Sequence, residues 1–123
     1  MNSSHKQLAL PAFDPNEMVE CLKKLMEVEK DWIPKRDMHS LYIRPTSISM
    51  ENTFEIGAHK KAKVFIVNSP VGPYYPRGFV PVKLLCDTKY IRAWPKGFGD
   101  KKIGGNYSPT IKSGREAVAA ECD

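Results

Sequence analysis

Long apolar runs are missing from this chain of 123 residues. No stretch approaches the roughly 20 consecutive apolar residues that a membrane-spanning helix needs, so no segment reads as a membrane span. The opening, Met1-Asn2-Ser3-Ser4-His5-Lys6-Gln7, is polar and has neither the apolar core of a secretory signal nor the arginines of a transit peptide. Cysteine is scarce. Cys21, Cys86 and Cys122 stand far apart and form no C-x-x-C pair, which removes the spacing of a structural zinc site. An odd count without a signal segment points to a reducing compartment. His5, His39 and His59 are equally isolated, so no metal is expected.

What is present fits a small globular unit. Hydrophobic residues make up 41% and charged residues 27% of the chain, ordinary proportions for a folded domain. The formal net charge is +5, a balance that draws attention to anionic partners. The lysines are scattered, however, and the one dense group, Lys60-Lys61-Ala62-Lys63, directly precedes an apolar segment. It reads as the solvated entry to a strand, and nucleic acid is not an expected partner.

Taken in order, residues 1–9 are expected to fray. Asp14 then has the character of an N-cap, with Pro15 at the first helical position and Glu17 completing a capping box. Met18, Leu22, Leu25, Met26 and Glu29 recur on one stripe, which predicts a structural helix that packs on a sheet and runs to Trp32-Ile33-Pro34. Residues 40–49 alternate. Leu41 and Ile43 face one way, Tyr42 and Arg44 the other. A tyrosine and an arginine on one strand face make an anion site, because the guanidinium is a permanently charged planar fork. The same pattern also suits a strand with one solvated face. Lys63 to Asn68 is a continuous apolar run of the kind found in buried strands. Residues 69–78, with three prolines and two glycines, read as a connector with restricted dihedrals. Phe79 to Cys86 alternates as a strand, Asp87-Thr88-Lys89 turns, and Tyr90 to Trp94 is strand-like. Ser108 and Pro109 open a last helix whose Ile111, Arg115, Val118 and Cys122 share a face, with Gly114 as its weak point.

Between those last two segments lies Lys102-Ile103-Gly104-Gly105-Asn106-Tyr107. Two adjacent glycines permit backbone conformations and close approaches that a Cβ forbids. A lysine beside such a turn can be aimed at a bound carbonyl compound and form a Schiff base. Tyr107 adds a hydroxyl able to bond a phenolate oxygen. A lysine near glycine is also a common feature of solvated loops.

Four segments in fixed order give the motif a context: Leu10-Pro11-Ala12-Phe13-Asp14 leading into Glu20-Cys21-Leu22; Ser40-Leu41-Tyr42-Ile43-Arg44-Pro45; Ser69-Pro70-Val71-Gly72-Pro73-Tyr74-Tyr75-Pro76; and Ile91-Arg92-Ala93-Trp94 followed by the lysine turn. In these the chain resembles the branched-chain amino acid aminotransferases, fold-type IV enzymes that use pyridoxal 5′-phosphate. The resemblance implies an α+β fold comprising the second half of a small α/β domain (1–68), an interdomain linker (69–78) and the start of a large cofactor-binding domain (79–123). It implies an internal portion of a longer enzyme. Ser108 stands where the family usually has glycine, and Pro95-Lys96 interrupts a segment usually richer in glycine.

The activity implied is transamination of leucine, isoleucine or valine with 2-oxoglutarate. Lys102 would carry pyridoxal phosphate and act as the proton carrier, Tyr107 would hold the cofactor's phenolate oxygen, and Arg92 would lie close to the cofactor. Tyr42, Arg44 and Tyr74 would bind substrate. A free lysine, with a pKa of about 10.4, is protonated at neutral pH, so that role requires the value to be lowered. The resemblance further implies a homodimer in the mitochondrial matrix or the cytoplasm. The alternative is a non-catalytic remnant of the same family that serves only as a structural or interaction module.

Overall fold

The computed structural model describes residues 1–123 as three α-helices and one two-stranded antiparallel sheet, a small α+β arrangement. The chain divides into two compact units, one holding Asn2 and Ser4–Phe79, the other Met1, Ser3 and Val80–Asp123.

The first unit opens on a helix where fraying was expected: α1 spans Asn2–Gln7. Side chains explain the difference. The Asn2 amide grips the backbone of Phe13 from both sides, donating to its carbonyl at 2.7 Å and accepting its N–H at 3.3 Å. His5 is buried, 3% exposed, with Nδ1 2.6 Å from the Pro11 carbonyl. That carbonyl can only accept, so Nδ1 carries the hydrogen. The His5 ring meets Phe13 edge-on at 5.2 Å. Helix and following segment are thus tied by polar contacts that no periodicity reveals.

Helix α2 spans Pro15–Val28, and the Asp14 side chain caps it by accepting from the N–H groups of Asn16 and Glu17. Met18, Leu22, Leu25, Met26 and Glu29 are its half-buried positions. The stripe is real, but none of it is fully covered. The α-helix stops four residues earlier than expected. Lys30–Trp32 form a 3-10 turn, and Ile33 is extended at φ −69°, ψ 116°. Pro34 excludes the helical region for Ile33, and the last turn tightens before it.

Strand β1 (Ser40–Ser49) pairs with β2 (Ala62–Val71) in a register running from Ser40↔Val71 to Ser49↔Ala62. Strand β2 extends into the expected connector, whose first residues, Ser69 to Val71, pair with Tyr42 to Ser40. Nor is β2 buried on both faces. Ala62, Val64, Ile66 and Asn68 are half-buried, whereas Lys63, Phe65, Val67 and Ser69 are exposed. Two strands covered on one side leave every second residue in water. The exposed positions pair directly with Ile48, Thr46, Arg44 and Tyr42, so Tyr42 and Arg44 stand on the open face. At the far end, Ser49 Oγ bonds His59 Nδ1 and Glu51 Oε1 accepts the Lys60 N–H at 3.0 Å. These bonds close a loop whose Phe54 and Ile56 are fully exposed.

In the second unit, the two strands expected at Phe79–Cys86 and Tyr90–Trp94 do not form. A ladder needs a partner, and these segments find other bonds. Lys83 donates its N–H to Asp123 Oδ2 at 2.9 Å and accepts the Asp123 N–H at 2.9 Å. Its Nζ donates to the Ala120 carbonyl at 3.0 Å. Helix α3 spans Thr110–Ala119, with Pro109 at the cap position and no side-chain cap, one residue later than Ser108-Pro109 suggest. The Tyr107 carbonyl replaces the cap, accepting from both the Thr110 N–H (3.1 Å) and Oγ1 (2.7 Å). Within α3, Ser113, Glu116 and Ala117 are half-buried, while Ile111 and Val118, the residues of the expected apolar face, are 65% and 71% exposed.

Nothing lies within 4 Å of a Cβ built on Gly114, in the middle of this exposed helix. Glycine there costs entropy without serving space. We therefore expect Gly114→Ala to stabilise the second unit by about 0.5–1 kcal/mol, read as a raised midpoint in denaturant unfolding followed by circular dichroism. A lowered midpoint would count against the helix boundaries.

Candidate functional site

The lysine turn is built around a small buried centre. Ile103, 8% exposed, is the buried hydrophobic residue, and Asn106, 2% exposed, is buried three positions later. The residues between form a 3-10 turn, Gly104–Asn106, closed by Asn106 N–H to the Ile103 carbonyl and Tyr107 N–H to the Gly104 carbonyl, each 3.2 Å. The Asn106 side chain points inward. Its amide donates to the Phe98 carbonyl at 2.8 Å and to the Lys101 carbonyl at 2.5 Å. The Phe98 carbonyl also accepts the Lys101 N–H at 2.9 Å.

Lys102 and Tyr107 emerge from this turn side by side. Lys102 Nζ donates to the Tyr107 hydroxyl and lies 4.4 Å from the centre of its ring. Both residues are exposed. Lys101, the adjacent cation, turns to Asp100 and forms an ion pair with it; that hydrogen bond holds the Asp100 carboxyl below the usual range. The charge of Lys101 is thus balanced by its own neighbour.

The approach to the turn is tight. A Cβ on Gly99 would sit 2.4 Å from Ala93 Cβ, and one on Gly97 would sit 2.7 Å from the Trp94 indole. Only glycine fits at either place. Lys96, in the stretch where glycine is the commoner choice of the resembled family, adopts φ +63°, a left-handed conformation that favours glycine. Arg92 reaches across this loop, its Nη1 3.4 Å from the Gly99 carbonyl. That bond leaves most of its guanidinium donors for other partners.

The remaining candidates lie in the first unit. The Arg44 guanidinium carbon stands 5.0 Å over the Tyr42 ring, within the range of cation–π attraction. The alternation of β1 therefore produces a joined pair. Tyr74 is 89% exposed and meets Tyr75 edge-on at 4.9 Å. The structure brings together Lys102 with Tyr107, and Tyr42 with Arg44. It leaves Arg92 on its own loop bond and Tyr74 on its neighbour. One participant was missed: the sequence motif gives tasks to Lys102 and Tyr107 and none to Asn106. A polar residue between Gly-Gly and tyrosine was the available signal, but sequence does not tell an inward side chain from an outward one.

No family model matches the chain. Curated proteins do. It is 49% identical over 116 residues to a branched-chain-amino-acid aminotransferase of Dictyostelium discoideum, covering 94% of this chain and 31% of that protein. It is 44% identical over 122 residues to a cytosolic branched-chain-amino-acid aminotransferase of Caenorhabditis elegans (99% and 29%). It is 43% identical over 124 residues to the mitochondrial one of Mus musculus (100% and 32%). The chain belongs to the branched-chain-amino-acid aminotransferase family. It spans about 30% of the length of these relatives. Aminotransferase relatives thus include cytosolic and mitochondrial forms, and no helix of this chain is long and apolar enough to cross a membrane.

Helix α3 is held to the turn at residues 87–90. Asp87 Oδ1 accepts the N–H groups of Lys89 (2.8 Å) and Tyr90 (3.2 Å). The Tyr90 hydroxyl donates to Glu116 Oε1 at 2.9 Å, and Lys89 Nζ lies 3.5 Å from Glu116 Oε2. The Tyr90 phenol holds the Lys112 amine above the usual lysine range, and Lys112 Nζ stands 5.0 Å over that ring. The Ser113 hydroxyl, then the Lys89 and Tyr90 N–H groups, hold the Asp87 carboxyl below the usual carboxylate range. A folded value below the unfolded one means that Asp87 stabilises the unit fully above a pH of about 4 and ceases to do so as pH falls through the lowered folded value. Asp87→Asn is accordingly expected to melt at lower temperature than the parent at pH 6, with the gap closing in strong acid. Thermal melts from pH 6 to pH 2.5 check this, and a gap independent of pH would refute it.

Proposed function

We propose that this chain supplies the cofactor-bearing lysine and part of the substrate-binding surface of a pyridoxal phosphate-dependent branched-chain amino acid aminotransferase. The observation that carries the reading is the Lys102–Tyr107 pair, in a chain of this family. An amine and a phenol side by side fit one edge of pyridoxal phosphate, where an aldehyde adjoins a phenolic oxygen. Lys102 would hold the aldehyde carbon and Tyr107 the oxygen, and Arg92, with donors to spare, would stand near the group. When bound, the cofactor supplies the electron sink for charge developing at the substrate's α carbon.

The protein's part is position and proton transfer. With the cofactor bound, Lys102 Nζ would be the group that takes the proton from the substrate's α carbon. The Tyr107 hydroxyl, one hydrogen bond away, can donate to that amine's acceptor state or accept from its protonated state, which fixes where the amine points. Arg44 offers its fork to the substrate carboxylate, braced by the Tyr42 ring. Tyr74, largely exposed, is assigned to substrate binding. The substrates are leucine, isoleucine or valine, with 2-oxoglutarate as amino acceptor.

In architecture the reading assigns residues 1–68 to a small α/β domain, 69–78 to the interdomain linker and 79–123 to the start of a large domain of fold-type IV. The working enzyme is a homodimer of the mitochondrial matrix or cytosol, in keeping with the designations of the relatives.

Reductive trapping tests the reading. The chain is incubated with pyridoxal phosphate, reduced with borohydride and mapped by peptide mass. The expected result is an adduct concentrated on Lys102 and at least tenfold weaker over all other lysines, which disappears in Lys102→Ala. Uniform labelling across the lysines would sink it.

A further inference from the structure

We infer that Asn106 is the positioning residue of the lysine turn: its buried amide sets the Lys102 amine against the Tyr107 hydroxyl. The inference deepens the cofactor reading above and rests on it. The geometry is specific. Asn106 is the largest fully buried side chain of the molecule, at 2% exposure. Its amide nitrogen bonds the Lys101 carbonyl, and Lys101 is the residue before Lys102. Asn106 itself is the residue before Tyr107. One hydrogen bond therefore joins the positions immediately ahead of the two reactive groups, and the second, to the Phe98 carbonyl at 2.8 Å, ties both to the start of the loop.

The chemistry of the clamp leaves one choice of side chain. Both partners are carbonyls and can only accept, so the group facing them must carry two hydrogens. An amide does; a carboxylate of the same shape presents oxygen to oxygen. The reach is also fixed, because the 3-10 turn brings Asn106 back to bond the Ile103 carbonyl with its N–H, and the Asn106 side chain is 2% exposed. Neither Ile103 nor the glycines can substitute, since none has a polar side chain. The Lys102–Tyr107 bond itself is between two exposed side chains with many rotamers, and such a pair keeps one geometry only if the backbone beneath each is fixed.

The test compares the parent chain with Asn106→Asp, Tyr107→Phe and the double variant. Two readings are taken. One is the rate of borohydride-trapped pyridoxal phosphate at Lys102 relative to Lys112 in the same digest. The other needs no cofactor: the nuclear Overhauser effect between the Lys102 ε-methylene and the Tyr107 ring. Asn106→Asp is expected to lower the relative trapping rate about tenfold and to abolish the Overhauser contact, with the helical circular dichroism signal retained. In the Tyr107→Phe background the same change is expected to have less than half its effect on trapping, because the partner being positioned has lost its hydroxyl. A merely structural role gives additive losses. If Asn106→Asp loses the helical signal, Asn106→Ser, which keeps one donor, is read in its place. Unchanged trapping and an unchanged Overhauser contact in a folded variant overturn the inference, as does strict additivity. A parent chain that shows the Overhauser contact but no selective trapping defeats the cofactor reading instead, and the clamp is then judged on the loss or survival of that contact.

Discussion

Asn106 donates both of its amide hydrogens inward, and the segment from Phe98 to Tyr107 turns about that side chain. Without it the Lys101 carbonyl would lose this donor and the Phe98 carbonyl would keep only the Lys101 N–H, and each such hydrogen bond contributes about 0.5–1.5 kcal/mol. In a unit whose buried apolar content is Ile103, that sum rivals what packing contributes. The turn is therefore organised by polar satisfaction more than by a hydrophobic core. Such an arrangement is directional. A core fixes shape to within the tolerance of its packing, whereas two hydrogen bonds from one amide fix where a backbone carbonyl lies and which way the next residue leaves it. Lys102 leaves from one end and Tyr107 from the other.

The rest of the second unit follows from where Tyr107 is held. Its carbonyl caps α3 through Thr110, and α3 is anchored at the opposite side by Glu116 on Tyr90 and Lys89. The exposed charge pairs each contribute little. What matters is that they meet at one helical turn, together with Asp87 beside Ser113. The anchored face is polar, and Ile111 and Val118 are left in water. An apolar stripe without a cover is a demand for surface that another part of a larger fold, or another chain, can meet.

The sequence was legible where structure is local. The Asp14 cap, the α2 stripe and the bounds of β1 all follow from bonds and periodicities within about ten residues, and the structure reproduces them. It was not legible where bonding is between distant segments. Phe79–Cys86 alternates as a strand does, but alternation specifies a face and not a partner; Lys83 bonds Asp123 instead. Residues 1–9 looked free because nothing in their own sequence holds them, yet Asn2 and His5 find Phe13 and Pro11. At the candidate site, residue types and spacing pointed to Lys102 and Tyr107, which stand side by side, and alternation put Tyr42 and Arg44 on one face, where they meet. The inward turn of Asn106 depended on two carbonyls, at Phe98 and Lys101, whose directions are set only once the loop has closed.

That distinction bears on how such a site can be altered. The tight approach through Gly97 and Gly99 tolerates no side chain, so the path of the backbone into the turn is fixed by sterics. Lys96, at φ +63°, holds a conformation that glycine would adopt without strain. The backbone there is thus dictated by its surroundings and not by its own residue. Strain of that kind persists only when neighbouring bonds over-determine the path, and the neighbours in question are the Trp94–Gly97 turn and the loop that Asn106 closes. Relaxing Lys96 to glycine removes the strain but also the restriction on the unfolded chain that a side chain imposes. The two effects oppose each other, and the position can depart from glycine because the Asn106 amide, bonded to the Phe98 carbonyl two residues after Lys96, fixes where the loop must go.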